Sequence, residues 1–195
     1  MDFDISKLIW INKPKKFEIS ANKITIITEP ETDFWQKTYY GFSNNNAHAL
    51  MQSISEDFTF LVETNFNTKL SYDQCGVVIY KDSKNWFKAS VEYENKQYSK
   101  LGSVVTNIGY SDWATTDIST DIHKMWYRLS RKKQDFLIEN SCDGVNFKQM
   151  RIFHMHTLIN KVNVGIYAAS PLMSSFTAIF ANMKLTDSIW QEHII

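Results

Sequence analysis

Short runs of β-branched and aromatic residues, each closed by a turn signal, recur along nearly the whole chain, and this rhythm restricts it to an all-β fold. Residues 17–19, 23–28, 58–66, 76–81, 86–93, 102–107, 126–130, 136–141, 148–153, 162–168 and 176–184 read as strands. Turn residues stand between them, among them Asn22-Lys23, the run at 81–85, and 94–96. Asp143-Gly144, flanked by two such runs, is a strong hairpin signal. Many short strands and few helical patterns predict an antiparallel two-sheet sandwich of the jelly-roll type. Residues 47–54 and 187–193 read as short helices, and Ser111-Asp-Trp113 as part of a loop.

One pair of strands stands out. Side chains alternate between faces along a strand. Phe87, Ala89, Val91 and Tyr93 therefore share one face of 86–93, and Trp86, Lys88, Ser90 and Glu92 share the other. A face that puts an aromatic beside a cation, a hydroxyl and an anion is either a solvated surface with a weak cross-strand ion pair or the floor of a pocket. The neighbouring segments extend the polar stripe, with Gln74 and Gly76 on one side and Ser103 and Thr106 on the other. Gly76, having no side chain, would leave room above the sheet.

Composition narrows the function classes. With 195 residues, 44% of them hydrophobic, the chain suits a single domain spanning 1–195. Lys plus Arg and Asp plus Glu number 21 each, so no net field steers it to nucleic acid or to an anionic membrane. No run reaches the length of a membrane span and no secretory signal opens the sequence, so a cytoplasmic location is expected. Cys75 and Cys142 do not form a disulfide framework.

A series of phrases, in order, carries a family resemblance: Thr32-Asp-Phe-Trp35 with Tyr40-Gly-Phe42, Tyr72-Asp-Gln-Cys-Gly76, Trp86-Phe-Lys88 leading to Glu92, and Ser103-Val-Val-Thr106. Ser111-Asp-Trp113, Arg128, Ser141-Cys-Asp-Gly144, Met150-Arg151 and Tyr167-Ala-Ala-Ser-Pro171 complete it. From Trp10 to about Lys184 the chain resembles the regulation-of-enolase family, a domain of otherwise unknown function. The resemblance implies a concanavalin A-like lectin/glucanase sandwich, with a concave face that binds carbohydrate in related folds.

The candidate site residues follow from the stripe and the resemblance together. Gln74, Lys88, Glu92, Ser103 and Thr106 would line the groove, with Tyr72, Asp73 and Trp86 beside them. The aromatics of 34–42 either seal the end of the sandwich or offer Trp35 or Tyr39 to stack on a sugar ring, with Asp33 accepting hydroxyl hydrogen bonds. Trp113 and Asp112 are carbohydrate contacts or an aromatic beside an Asx-turn. Arg128, sharing a face with Trp126, would line the groove if that strand does, and would need Glu92 or Asp73 as partner.

For catalysis, Glu92 is the one candidate, with Asp73 or Glu94 as a second acid. Related glucanases carry Glu-x-Asp-x-x-Glu or Glu-x-Asp-x-Glu, and Glu92-Tyr-Glu94 lacks the central Asp. His154-Met-His156 has ligand-like spacing, but a surface strand end accounts for it better, and no metal is expected. Nucleophile elbow, Walker and dinucleotide motifs are missing and no cofactor is expected. The expected function is a ligand-binding or regulatory protein whose partner is a small polar molecule such as a saccharide or sugar phosphate. A carbohydrate-active enzyme using Glu92, and a module with a protein partner affecting carbohydrate metabolism, are the alternatives.

Overall fold

The computed structural model describes residues 4–157 and 160–191. Its strands, in chain order, are β1 (Ile9–Ile11), β2 (Lys16–Ser20), β3 (Lys23–Ile27), β4 (Phe34–Gln36), β5 (Ser43–Asn45), β6 (His48–Ile54), β7 (Phe58–Phe66) and β8 (Gln74–Asp82). They continue as β9 (Asn85–Tyr93), β10 (Ser99–Asn107), β11 (Tyr110–Ile118), β12 (Lys124–Lys132), β13 (Asp135–Ser141), β14 (Lys148–His154), β15 (Val162–Ala169) and β16 (Thr177–Asp187). Among the described residues the one helical element is a 3₁₀ turn at Ile5–Lys7.

Two seven-stranded sheets form, one in the order β1-β6-β15-β8-β9-β10-β11 and the other β14-β13-β12-β7-β16-β3-β2. All their ladders are antiparallel, with β16 inserted between β7 and β3. Alternation decides what each face buries. Phe58, Phe60, Val62 and Phe66 of β7 meet Val77, Ile79, Phe87, Ala89 and Val91 of β8 and β9 in a core between the sheets. This is the antiparallel two-sheet jelly-roll sandwich expected from the strand rhythm, of the concanavalin A-like type that the resemblance implied.

The first sheet is buried on its outer face as well. β4 and β5 pair with each other as a two-stranded ribbon. A second core, with Phe34 and Trp35 of that ribbon and Val78, Tyr80, Trp86, Val104 and Tyr167 of the sheet, lies on the face turned away from the other sheet. Phe34 is fully buried, with its ring 5.6 Å from Trp86 and 5.7 Å from Tyr80. Burying one such aromatic stabilises by about 1.5–3 kcal/mol. Hence β8 and β9 are buried at almost every position, on both faces. The polar residues of their outer face lie under cover.

Two expectations about elements change. Residues 48–54, read as helical, form β6, buried at nearly every position between β1 and β15. Ala, Leu and Met are good helix formers, but intrinsic propensity is a small preference, and pairing on both sides outweighs it. Of 187–193, Asp187 ends β16, residues 188–191 take no regular structure, and 192–193 lie outside the described residues. The Ser111–Trp113 phrase is in β11, paired along its length with β10. No helix among the described residues is long and apolar enough to cross a membrane.

Candidate functional site

The ribbon covers only part of the outer face, and beside it lies a cavity of about 420 Å³. Its floor is the polar stripe: Gln74 of β8, Lys88, Ser90 and Glu92 of β9, and Lys100 of β10. Strand register brings these into a row, since Gln74 pairs with Glu92, Glu92 with Lys100, and Lys88 with Val104. Trp35, Tyr40, Phe42 and Asn44 form the ribbon wall, Trp113 of β11 the far wall, and Tyr72, Pro171 and Leu172 the rim.

The floor is a continuous hydrogen-bonded chain. Lys88 Nζ donates to Asp33 Oδ1 at 2.9 Å and to Gln74 Oε1 at 2.9 Å. The Tyr167 hydroxyl donates to the same Gln74 oxygen at 3.0 Å. With its oxygen so occupied, the Gln74 amide directs Nε2 to the Tyr72 carbonyl at 3.1 Å and to Glu92 Oε2 at 2.9 Å. Asp33 is fixed at the base of the ribbon: its Oδ1 also accepts from Phe34 N at 2.7 Å, and its own N–H donates to Asn46 Oδ1 at 2.9 Å.

Each cation on this floor has an anionic partner. Lys88 and Asp33 form an ion pair with side chains 5% and 14% exposed, and Lys100 pairs with Glu94 at 2.9 Å while lying 5.1 Å from the Trp113 ring centroid. Burial pushes the Glu92 carboxyl up to about 7; Lys88 and Lys100 pull it down, and Asp33 and Glu94 push it up. Tyr167 is held well above its ordinary value by burial, against the opposing hydrogen bond with Ser90. At neutral pH Glu92 is poised between carboxyl donor and carboxylate acceptor.

Of the residues singled out in the sequence, Asp33, Trp35, Tyr72, Gln74, Lys88, Ser90, Glu92, Ser103 and Trp113 line the cavity. Ser103 does so from a position paired with Ala89, so its side chain belongs to the core-facing set and its backbone to the cavity edge. The others are elsewhere. Trp86 faces the right side of the sheet but is fully buried beneath Phe34, out of reach for stacking. Thr106 is fully buried too, its hydroxyl sharing a 2.8 Å hydrogen bond with Ser111. Asp73 is turned away: its Oδ2 accepts from Lys69 N, Leu70 N and Ser174 Oγ, organising the loop before β8.

Asp112 pairs with Val105, a core residue, and so points away from the cavity floor; its carboxylate meets Arg151 at 2.8 Å. Arg128 shares a face with Trp126 as alternation requires, but on the other sheet. It makes a two-pronged pair with Glu139 at 2.6 and 2.7 Å, and its guanidinium lies 4.2 Å from the Phe147 ring centroid. Its partner is therefore neither Glu92 nor Asp73. Gly76 leaves no room for a ligand either: a β-carbon there would come within 1.9 Å of the Ala89 carbonyl oxygen, so this glycine permits close strand pairing. Nor does Glu94, which pairs with Lys100, line the cavity.

Sequence reasoning omits Lys100, Gly102, Tyr40, Phe42, Pro171 and Leu172 from the site. Lys100 is within its reach, since extending the alternation of 102–107 by one period puts it on the face of Gly102 and Val104, and the register then sets it across from Glu92. Gly102 makes space for the far wall. A β-carbon there would stand 3.0 Å from Trp113 Nε1 and 3.1 Å from Thr115 Cγ2, so its absence lets the indole lie against β10. Of the histidines, His154 Nδ1 lies 2.6 Å from Asp135 Oδ1 on β14, and among the described residues no group of three or more His, Cys, Asp or Glu is placed to hold a metal.

The chain is 31% identical over 183 residues to Regulation of enolase protein 1 of Saccharomyces cerevisiae, covering 94% of this chain and 91% of that protein. A crystal structure of a functionally unknown protein from Saccharomyces cerevisiae superposes with a TM-score of 0.88 at 30% identity, covering 95% and 98% of the two chains. More distant likenesses show the fold alone. The GH43 protein BlXynB of Bacillus licheniformis matches at a TM-score of 0.67 and 15% identity, over 89% of this chain and 35% of that one. The alginate lyase of Klebsiella pneumoniae matches at 0.59 and 9%, over 90% and 85%. The family model DUF1349, described as a protein of unknown function, matches residues 10–188, and the chain belongs to that family.

Proposed function

We propose that this protein is a cytoplasmic binding module whose pocket takes a neutral saccharide. The observation that carries this reading is the pairing of a polar floor with aromatic walls. Gln74, Lys88, Ser90 and Glu92 offer donors and acceptors in a row, and Trp35, Tyr40 and Trp113 offer flat apolar faces for the C–H side of a sugar ring. A volume of about 420 Å³ is within the ~300–1,000 Å³ range of small-molecule sites. Charge balance favours a neutral sugar over a sugar phosphate, because Lys88 and Lys100 are already matched by Asp33 and Glu94. Two free cysteines, one of them buried, accord with a reducing compartment. The yeast relative's name suggests a regulatory output in carbohydrate metabolism, exerted through a protein partner.

The test is titration calorimetry with neutral monosaccharides and their phosphates on the wild type and on Glu92→Gln. Saturable binding of a neutral sugar, weaker for its phosphate, supports the reading. Preference for the phosphate, or no binding of either, overturns it.

A second reading, a carbohydrate-active enzyme, rests on Glu92 itself. A buried carboxyl poised near 7 is suited to general acid chemistry, and Asp33, in place of Asp73 or Glu94, is the other carboxylate of the cavity. Release of reducing sugar by the wild type, lost in both Glu92→Gln and Asp33→Asn, would establish it.

A further inference from the structure

Next to the cavity, across Trp35, Tyr40 and Trp113, lies a second and more open hollow of about 380 Å³. These three aromatics line both spaces and form the ridge between them. Trp35 is at its centre, edge-on to Tyr40 with centroids 5.4 Å apart and to Trp113 at 6.3 Å. The Trp35 indole is held in place by donating Nε1–H to the Thr38 carbonyl at 3.1 Å. Beyond the ridge the hollow is lined by Thr38 and Tyr39, the latter 93% exposed, and by Ser111 and Asp112 of β11, the Asp112 carboxylate itself being turned to Arg151 on the other face.

We propose that the two spaces are successive subsites for one linear oligosaccharide, one sugar unit on the Gln74–Glu92 floor and the next beyond the aromatic ridge. This rests on the saccharide reading of the pocket and extends it. A single sugar ring would be served by the cavity alone; it would leave unused the open hollow, the exposed Tyr39 and the outward faces of Tyr40 and Trp113. The path is set by topology. It starts on the Gln74–Glu92–Lys100 row of β8, β9 and β10 and runs obliquely to Trp113 and Ser111 of β11, which pair with Val104 and Thr106, leaving over this edge strand, where no neighbouring strand among the described residues blocks a longer chain. The backbone helps hold the ridge, since the loop carrying Tyr39 and Tyr40 is turned by left-handed conformations at Lys37, Tyr39 and Gly41 (φ 56°, 63° and 77°). Such conformations are uncommon outside glycine and mark a loop of specified shape.

The experiment is calorimetric titration of the full chain with two length series, xylose to xylohexaose and glucose to cellohexaose. Tyr39→Asn removes the ring with a residue that tolerates left-handed backbone, and Tyr39→Phe keeps it. Tyr39 lines only the hollow, so the two subsites separate. The expected result is affinity that rises at least tenfold from monomer to trimer in one series. Tyr39→Asn should then lose about tenfold for the trimer, with monomer binding unchanged, and Tyr39→Phe should restore it. Equal affinity for monomer and trimer, or a Tyr39→Asn variant that binds the trimer like the wild type, overturns the extended site and leaves the pocket standing. Binding of neither series at any length overturns the saccharide reading of the pocket and this extension with it.

Discussion

Lys88 of β9 and Asp33 at the foot of the ribbon form an ion pair of 2.9 Å across fifty-five positions of sequence, and it fastens the cover to the face it covers. Removing the cation leaves the Asp33 carboxylate with the hydrogen bond from Phe34 N–H but no counter-charge, and leaves the Gln74 oxygen short of a donor. Lys88→Met should therefore destabilise by about 3 kcal/mol, the lower end for breaking a buried pair, because Asp33 retains some contact with water. Lys88→Met combined with Asp33→Asn should recover part of that loss. Urea unfolding of the wild type and both variants checks these statements.

Glu92 gives stability a pH dependence of known sign. Its folded-state value of about 7 lies above the ordinary 4.5, so the folded state holds the proton more tightly. The native state then binds more protons than the unfolded chain between those values, and this contribution to stability falls as pH rises from about 4.5 to 7. The change amounts to roughly 3 kcal/mol. Glu92→Gln should flatten that part of the profile. Asp143, held well below its ordinary value first by the hydrogen bond from Asn146 N–H and then by Ser141, acts oppositely in a separate window, with stability lost as pH falls below about 4. Denaturation midpoints across pH 3–8 separate the two.

Two glycines of the same sheet should respond very differently to alanine. At Gly102 the new methyl meets the edge of the Trp113 side chain, which can swing outward. A cost of about 1 kcal/mol is expected, with a weakened far wall. At Gly76 the methyl would meet the Ala89 backbone. A loss of about 3 kcal/mol or more is expected, as β8 and β9 are forced apart. Thermal melts and intrinsic Trp fluorescence together distinguish a moved indole from a parted sheet.

Arg128 supplies the negative control. Since it pairs with Glu139 on the second sheet, Arg128→Ala should cost about 1 kcal/mol through lost pairing and stacking. Saccharide affinity should be unchanged. A binding defect in a folded Arg128→Ala protein would contradict the assignment of the site to the first sheet.

The strand pattern makes most of the fold legible, and it puts Lys88, Ser90 and Glu92 on one face because period two needs no tertiary knowledge. It does not say which sheet a strand belongs to. That is why Arg128, correctly grouped with Trp126, lies on the sheet opposite the groove. Asp33 stands out beside Trp35 as a hydroxyl acceptor, yet its pairing with Lys88 depends on the ribbon folding back over the sheet, which local pattern does not encode. Trp86 shows the reverse: alternation assigns its face correctly, but Phe34 comes down on top of it. His48–Ile54 looks helical because burial on both faces erases alternation, leaving weak propensity as the remaining signal.

The place of β16 between β7 and β3 bears on how the molecule is made. β2 and β3 are synthesised early and can pair with each other, but they have no other partner in their sheet until β16 leaves the ribosome. Until then β3 and β7 each keep an open edge, and half of the inter-sheet core lacks its lid. Such long-range closure slows folding and leaves unpaired strand edges exposed to other chains. The growing polypeptide is therefore most open to mispairing until β16 has been translated, and a chaperone that shields edges would act in that interval.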